Sequence, residues 1–544
     1  MIKKITQHLY FIIPFLLLSI FLFKSPYSTR NLIANLEPFP DAQYYTTPPR
    51  CFLTGQSWKM CRLFDNKLEG IKPSVPPAYS LVLLPAYFFN TDVRNFYFIN
   101  VVLSLSSLAL LWLVAKKFFD NKLITGVVLL LYATNYFVYW YPTLAMAENL
   151  FLPLFLLSIY LLQNKVSTKN SILIGLVSVG FYATKYAYAP LTVLLPIIYF
   201  AKIILSKKES KEKLIQTSFV AIPAGLILSK LVGWETLLSV LNQVTNGSLQ
   251  PQTNSTITSG SSYFSINYFA KHFTQYSKAL IGESQRFLWD STPLTEKWIA
   301  LPGLLGLFAS LKNHKQLPTK LYLILSAIAQ LLFISTFYVV DIRYVYHFLP
   351  ILILGFGFFI KLLSHSLLKN KINFYAFITM ILIIYLGSNV IRLKSVIMIN
   401  LKYAETPWWY LSQLEMNNFF KEYETDMEKP YLITLASPFL TDNYSNQNYR
   451  VLPLNDQQDF KSTMNEVWGN DDYEDLIELY KNKLENEQEV FITNYGINAT
   501  SLFEATFKNI ENNFTLTQVH SGCHNLCNIY QLQALEVTES NPTD

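Results

Sequence analysis

The feature that most constrains this chain is a succession of apolar windows near the length of a bilayer crossing, with lysines recurring in alternate gaps. A bilayer core takes about 20 apolar residues as α-helix. Windows of that kind fall near 7–24, 94–114, 123–141, 144–162, 171–187, 188–205, 214–233, 297–311, 319–340, 344–363 and 372–391. The apolar stretch 123–162 is about twice too long for one crossing and reads as two helices meeting at Tyr141-Pro142. Lys3 and Lys4; Lys116, Lys117 and Lys122; Lys165 and Lys169; Lys207, Lys208, Lys211 and Lys213; Lys312, Lys315 and Lys320; and Lys369 and Lys371 all fall on one side of such an arrangement. Lysine-rich short loops mark the cytoplasmic face. The expectation is a polytopic α-helical membrane protein of about eleven transmembrane helices, N-in and C-out, in the cytoplasmic (plasma) membrane. Lys3 and Lys4 before an apolar run could open a signal peptide, but no Ala-x-Ala-like cleavage site follows, so the first window reads as an uncleaved anchor.

Composition matters at two points. Only 15% of the residues are charged, against about 25% in soluble domains, which is what hydrocarbon demands of ionisable groups. The net charge of +6 sits in loops that set topology, so no nucleic-acid partner is expected.

The opposite, outer side receives three large segments: 25–93, the polar 234–296, and everything after about 395. The chain thus divides into a membrane domain (1–395) and a soluble extracytoplasmic α/β domain (396–544). In the latter, helical stretches near 408–424 and 471–486 alternate with apolar runs at 431–436, 449–453, 489–493 and 528–534. All four cysteines fall outside. Cys51–Cys61 and Cys523–Cys527 form two close pairs on an oxidising side, which suggests two local disulfides. Cys523-His524-x-x-Cys527 lacks a fourth ligand nearby and so makes a poor zinc site.

Ionisable residues at membrane depth are functional candidates by default, and here they gather at the outer rim. Asp41 lies in Pro38-Phe-Pro-Asp-Ala-Gln-Tyr-Tyr45, and Lys72 in Ile71-Lys-Pro-Ser-Val-Pro-Pro-Ala-Tyr79. Glu148 opens the fourth window and Lys185 closes the fifth; Asp341 and Arg343 follow the ninth in Val340-Asp-Ile-Arg-Tyr344. Scattered snorkelling residues would divide between both rims. Lysine and arginine can hold a phosphate at headgroup depth, and a carboxylate beside them can take a proton from an attacking hydroxyl. This is a site suited to a lipid-linked anionic substrate. His347 reads as a packed residue and not a ligand. A transporter or lipid flippase would instead place ionisable groups near the midplane and carry little outer mass; a non-catalytic envelope assembly protein would share the architecture.

With those residues in that order and sidedness, the chain resembles the GT-C superfamily of polyprenyl-phosphate-sugar glycosyltransferases, and within it the protein O-mannosyltransferase and lipid A aminoarabinose transferase branch. The resemblance covers the whole chain. It implies inverting transfer of a sugar from a polyprenyl-phosphate donor to an extracytoplasmic acceptor. It also implies Asp41 as the catalytic base, with Lys72, Lys185 and Arg343 on the donor phosphate and Glu148 and Asp341 as supporting carboxylates. Tyr44 and Tyr45 could stack on sugar. Many relatives carry an acidic pair in the first loop, whereas here Ala42 follows Asp41. No cofactor is certain; Asp41 with one further carboxylate could hold a divalent cation.

Overall fold

The computed structural model describes residues 9–23, 41–55, 75–91, 95–231, 266–284, 293–366, 374–388, 416–423, 430–434, 449–453, 476–494, 501–522 and 528–535, apart from isolated positions. The proposed domain boundary near 395 lies outside them.

The membrane domain is built from α1 (Leu9–Phe23), α2 (Asp41–Leu53), α3 (Ala78–Leu83), α4 (Phe96–Phe119), α5 (Lys122–Ala133), α6 (Tyr136–Trp140), α7 (Glu148–Gln163), α8 (Thr168–Thr184), α9 (Ala189–Ile204), α10 (Ser210–Leu231), α11 (Ile266–Leu280), α12 (Lys297–Ala309), α13 (Leu317–Ser335) and α14 (Phe348–Ser366). Ends are fixed by local chemistry. Asp120 closes α4 in the left-handed conformation (φ 48°), and the Asn121 side chain then caps α5 by accepting from Leu123 N and Ile124 N. Ser167 caps α8 in the same way. Lys116, Lys117 and Lys202 sit in the last turns of α4 and α9, where the helix dipole favours cations. Lys202 Nζ also donates to Leu162 O and Asn164 O at the end of α7. Glycine sets the closest helix crossing. A Cβ on Gly306 would stand 2.2 Å from Gly355 O, and one on Gly303 2.5 Å from Leu352 O, so α12 and α14 meet backbone to backbone.

The chain is a polytopic, largely helical membrane protein, but the expected count of about eleven spans needs correction. Among the described residues, three helical segments are long and apolar enough to cross alone: Phe96–Phe119, Tyr186–Ile204 and Leu317–Ser335. A fourth crossing is available if Lys122–Ala133 and Tyr136–Thr143, bent by 57°, act as one. Other windows give shorter apolar helices, among them Leu9–Phe23 and Glu148–Gln163. The 16 residues of α7 reach about 24 Å, short of a hydrocarbon core of about 30 Å. Hydropathy windows overran polar turns that end helices early. In the stretch 123–162 the first break comes at Thr134-Asn135, before Tyr141-Pro142. There the Thr134 hydroxyl bonds Leu130 O and Asn135 Oδ1 accepts from Phe137 N.

The C-terminal domain is one five-stranded sheet, β1 (Tyr431–Thr434), β2 (Arg450–Pro453), β3 (Val490–Thr493), β4 (Phe514–His520) and β5 (Ile529–Ala534), in the order β2-β1-β3-β5-β4. β1 pairs in parallel with β2 and β3, while β5 pairs antiparallel with β3 and β4. Alternation along the strands splits the side chains. Tyr431, Ile433, Val490, Ile492 and Leu532 pack with α15 (Leu476–Glu485) and α16 (Ser501–Asn513). Leu432, Phe491 and Ile529 join a separate cluster with Met416, Phe420, Tyr449 and Cys51. Cys51 belongs to α2, so one face of the sheet closes on the membrane domain.

Candidate active site

The site is built at the end of the bundle that bears the sheet. Between α6 and α7 the chain leaves helical geometry at 144–147, which exposes carbonyls. Two asparagine amides take them up. Asn100 donates to Pro142 O and Leu144 O, and Asn149 to Tyr141 O, Leu144 O and Met146 O. Tyr79 Oη in turn donates to Asn100 Oδ1 at 2.7 Å. The turn so fixed delivers Glu148 to the first turn of α7, where a carboxylate suits the dipole. The antiparallel neighbour α8 ends at Lys185, its C-cap, where a cation suits the dipole. The two meet, Lys185 Nζ to Glu148 Oε1, at 2.9 Å with side chains only 11% and 1% exposed.

A second pair comes from the α13–α14 connection. Asp341 caps a short 3₁₀ turn, its Oδ1 accepting from Arg343 N, and its Oδ2 lies 2.8 Å from Arg343 Nε. Tyr276 of α11 holds the Asp341 backbone, accepting from its N–H at 3.0 Å and donating to its carbonyl at 3.3 Å. Burial pushes the Asp341 carboxyl above its ordinary range; Arg343, first, and Lys185 pull it back.

The pairs share one floor. Lys185 Nζ stands 5.1 Å and the Arg343 guanidinium 5.2 Å from the Tyr344 ring centre, within cation–π reach. Tyr188, fully buried, feels the charges of Glu148 and Arg343 and lies beside Tyr344 and Tyr45. Tyr45 brings in α2, with its ring edge-on to Tyr79 at 5.2 Å. Glu148 Oε2 is buried with no hydrogen-bond partner among the described residues, which leaves an acceptor facing the cluster.

Of the residues singled out in the sequence, the fold therefore brings together Glu148, Lys185, Asp341 and Arg343, with Tyr45 beside them. Asp41 is the first residue of α2, one turn ahead of Tyr45; its side chain lies outside the described residues, as does all of Lys72. Tyr44 packs instead, partly buried, against the sheet-domain cluster that holds Cys51, Phe420 and Phe491. Cys51 is disulfide-bonded and buried, while Cys61, Cys523 and Cys527 lie outside the described residues. His347 is buried among Phe151, Phe155, Tyr188 and Phe348. Among the described residues no group of three or more His, Cys, Asp or Glu is arranged to hold a metal ion. Tyr188, Tyr276, Asn100 and Asn149 were missed. In a chain with 35 tyrosines, nothing local marks two of them.

ArnT from Cupriavidus metallidurans bound to undecaprenyl phosphate superimposes with a TM-score of 0.56 at 11% identity, over 96% of this chain and 97% of that one. The apo state of the same protein gives 0.56 at 12%, over 98% of each chain. This chain therefore shares its fold with that protein. The Archaeoglobus fulgidus oligosaccharyltransferase, in complex with Zn and sulfate, aligns over 94% of this chain and 72% of its own with a TM-score of 0.48. No protein-family model matches the sequence, and no curated protein matches it. Near-complete coverage in both directions means that the shared fold includes the membrane bundle and the sheet domain together.

Proposed function

We propose that this chain is a membrane glycosyltransferase that moves a sugar from a polyprenyl-phosphate donor to an acceptor on the outer face of the membrane. The observation that carries the reading is the convergence of Lys185 and Arg343, from separate connections, on one buried tyrosine floor. The near-complete overlap with a protein captured with undecaprenyl phosphate supports it. In this reading the lysine-rich end is cytoplasmic, and the site and sheet domain face outward.

The reaction is an inverting displacement. An acceptor hydroxyl attacks the anomeric carbon and gives its proton to Asp41. The bond from that carbon to the phosphate oxygen breaks, and its electron pair leaves with the polyprenyl phosphate. Arg343, Lys185 and Lys72 stabilise the charge that develops there. Glu148 and Asp341 hold two of those cations in place, and a divalent cation beside Asp41 is compatible with this chemistry. The test is transfer from polyprenyl-phosphate-linked radiolabelled sugar in proteoliposomes. Label recovered covalently on an acceptor supports the reading. Transbilayer movement of intact donor without transfer makes the chain a flippase, and neither outcome makes it an assembly protein.

A further inference from the structure

Helix α2 belongs to two cores at once. Ala42 and Tyr45, three residues apart, are buried in the membrane-domain core. Tyr44 and Cys51, two turns apart, pack in the sheet-domain cluster. Adjacent positions on a helix differ by about 100°, so these are two faces of one helix held between two bodies. Arg50 adds a third tether through Nε to Thr91 O at 2.7 Å.

The helix is poorly equipped to hold itself. Pro48 and Pro49 lie inside it, and each removes one i→i−4 hydrogen bond. With only 13 residues and two bonds gone, its placement depends on what flanks it. On the sheet side the flank is aromatic. Phe420 lies 5.4 Å from Phe491 of β3 and 4.5 Å from Tyr449, and Phe491 is in register with Leu432 of β1. The opposite face of the same sheet is already covered by α15 and α16. The face against α2 has no other helical cover among the described residues than the short stretch near 416–422.

We propose that the C-terminal sheet domain is a positioning element for the reaction: through Tyr44 and Cys51 it sets the placement of α2 and with it of Asp41, the first residue of that helix. This rests on the glycosyl-transfer reading above. Phe420 acts through α2 and touches no substrate, so it is a positioning residue. A displacement of about 1 Å in a reacting group can cost on the order of a hundredfold in rate, and loosening a flank is enough to produce one.

The test uses the full chain in proteoliposomes with Phe420→Ala and Phe420→Leu. Three quantities are read: single-turnover transfer at saturating donor, affinity for polyprenyl phosphate, and amide exchange across 41–53 and the strands. The expected result for Phe420→Ala is a transfer rate lower by about ten- to a hundredfold, polyprenyl-phosphate affinity within about twofold, and faster exchange in α2 with β1 and β3 still protected. Phe420→Leu, which keeps the apolar volume, restores most of the rate. Unchanged α2 exchange in Phe420→Ala, or faster exchange with an undiminished rate, overturns the proposal. If Phe420→Ala unprotects the strands themselves, Tyr44→Ala against Tyr44→Phe decides the matter from the helix side by the same readouts. A wild-type chain that transfers no sugar removes the catalytic reading alone; the exchange comparison still decides whether the sheet domain holds α2.

Discussion

Removing the Lys185 charge should be among the most damaging single changes at the site, and its size follows from the geometry. At 2.9 Å, with an effective dielectric of about 20, the attraction between Lys185 and Glu148 is about 6 kcal/mol. Taking both charges out of water costs several kcal/mol per ion, so the intact pair contributes little net. A stranded partner is different. Glu148 Oε2 already has no hydrogen-bond partner among the described residues, so Lys185→Met leaves a nearly inaccessible carboxylate without its counter-ion, at a cost of about 3–5 kcal/mol. Lys185→Met with Glu148→Gln strands no charge and should lose only about 1 kcal/mol. The assay is equilibrium unfolding in mixed micelles for the two single variants and the double, closed as a cycle. A single variant that loses under about 1 kcal/mol, or a double variant whose loss equals the sum of the singles, would refute the reasoning.

Asp41→Asn should lower single-turnover transfer by about a hundred- to ten-thousandfold, the usual contribution of a general base, with donor affinity nearly intact; Arg343→Ala should weaken donor binding first, and the two measurements together separate the roles. Gly306→Ala should destabilise the α12–α14 crossing by about 1–3 kcal/mol, because its Cβ would meet Gly355 O at 2.2 Å; thermal unfolding in detergent measures it. In the sheet domain, burial and then the hydrogen bond to Glu489 raise the Tyr423 phenol to about 12. The folded state therefore holds that proton more tightly than the unfolded chain, whose value is about 10. The stabilisation is complete below pH about 10 and is lost as pH rises toward about 12. Tyr423→Phe should flatten the alkaline unfolding profile over that interval.

Much of this arrangement was legible in the residues. The windows 171–187 and 188–205 correspond closely to α8 and α9 because apolar periodicity and the Lys185-Tyr-Ala-Tyr188 turn are local signals. Four of the five strands were visible as short β-branched and aromatic runs. β4 was not, since α16 passes into it directly at Asn513-Phe514 with no loop between the two elements. Helix α2 escaped notice because Pro48-Pro49 reads as a breaker, and its helicity comes from being packed between two cores. Glu148, Lys185, Asp341 and Arg343, grouped in the sequence by sidedness, lie together in the fold, whereas the Glu148–Lys185 pairing did not follow from sidedness. That Glu148 meets Lys185 depends on which helix ends are antiparallel neighbours, and windows carry no such information, whereas Asp341 and Arg343 pair within one local turn. Helix length failed for a related reason: Asn135 ends a run that hydropathy alone would continue.

The central claim is that this rim binds a lipid-linked phosphate. The most direct measurement is a structure of the full chain with polyprenyl phosphate in nanodiscs. The account predicts phosphate density within hydrogen-bond or ion-pair reach of Arg343 and Lys185, above the Tyr344 ring, with the prenyl tail leaving toward the bilayer. Phosphate bound away from both residues, with the Lys185–Glu148 and Asp341–Arg343 pairs undisturbed, would contradict it.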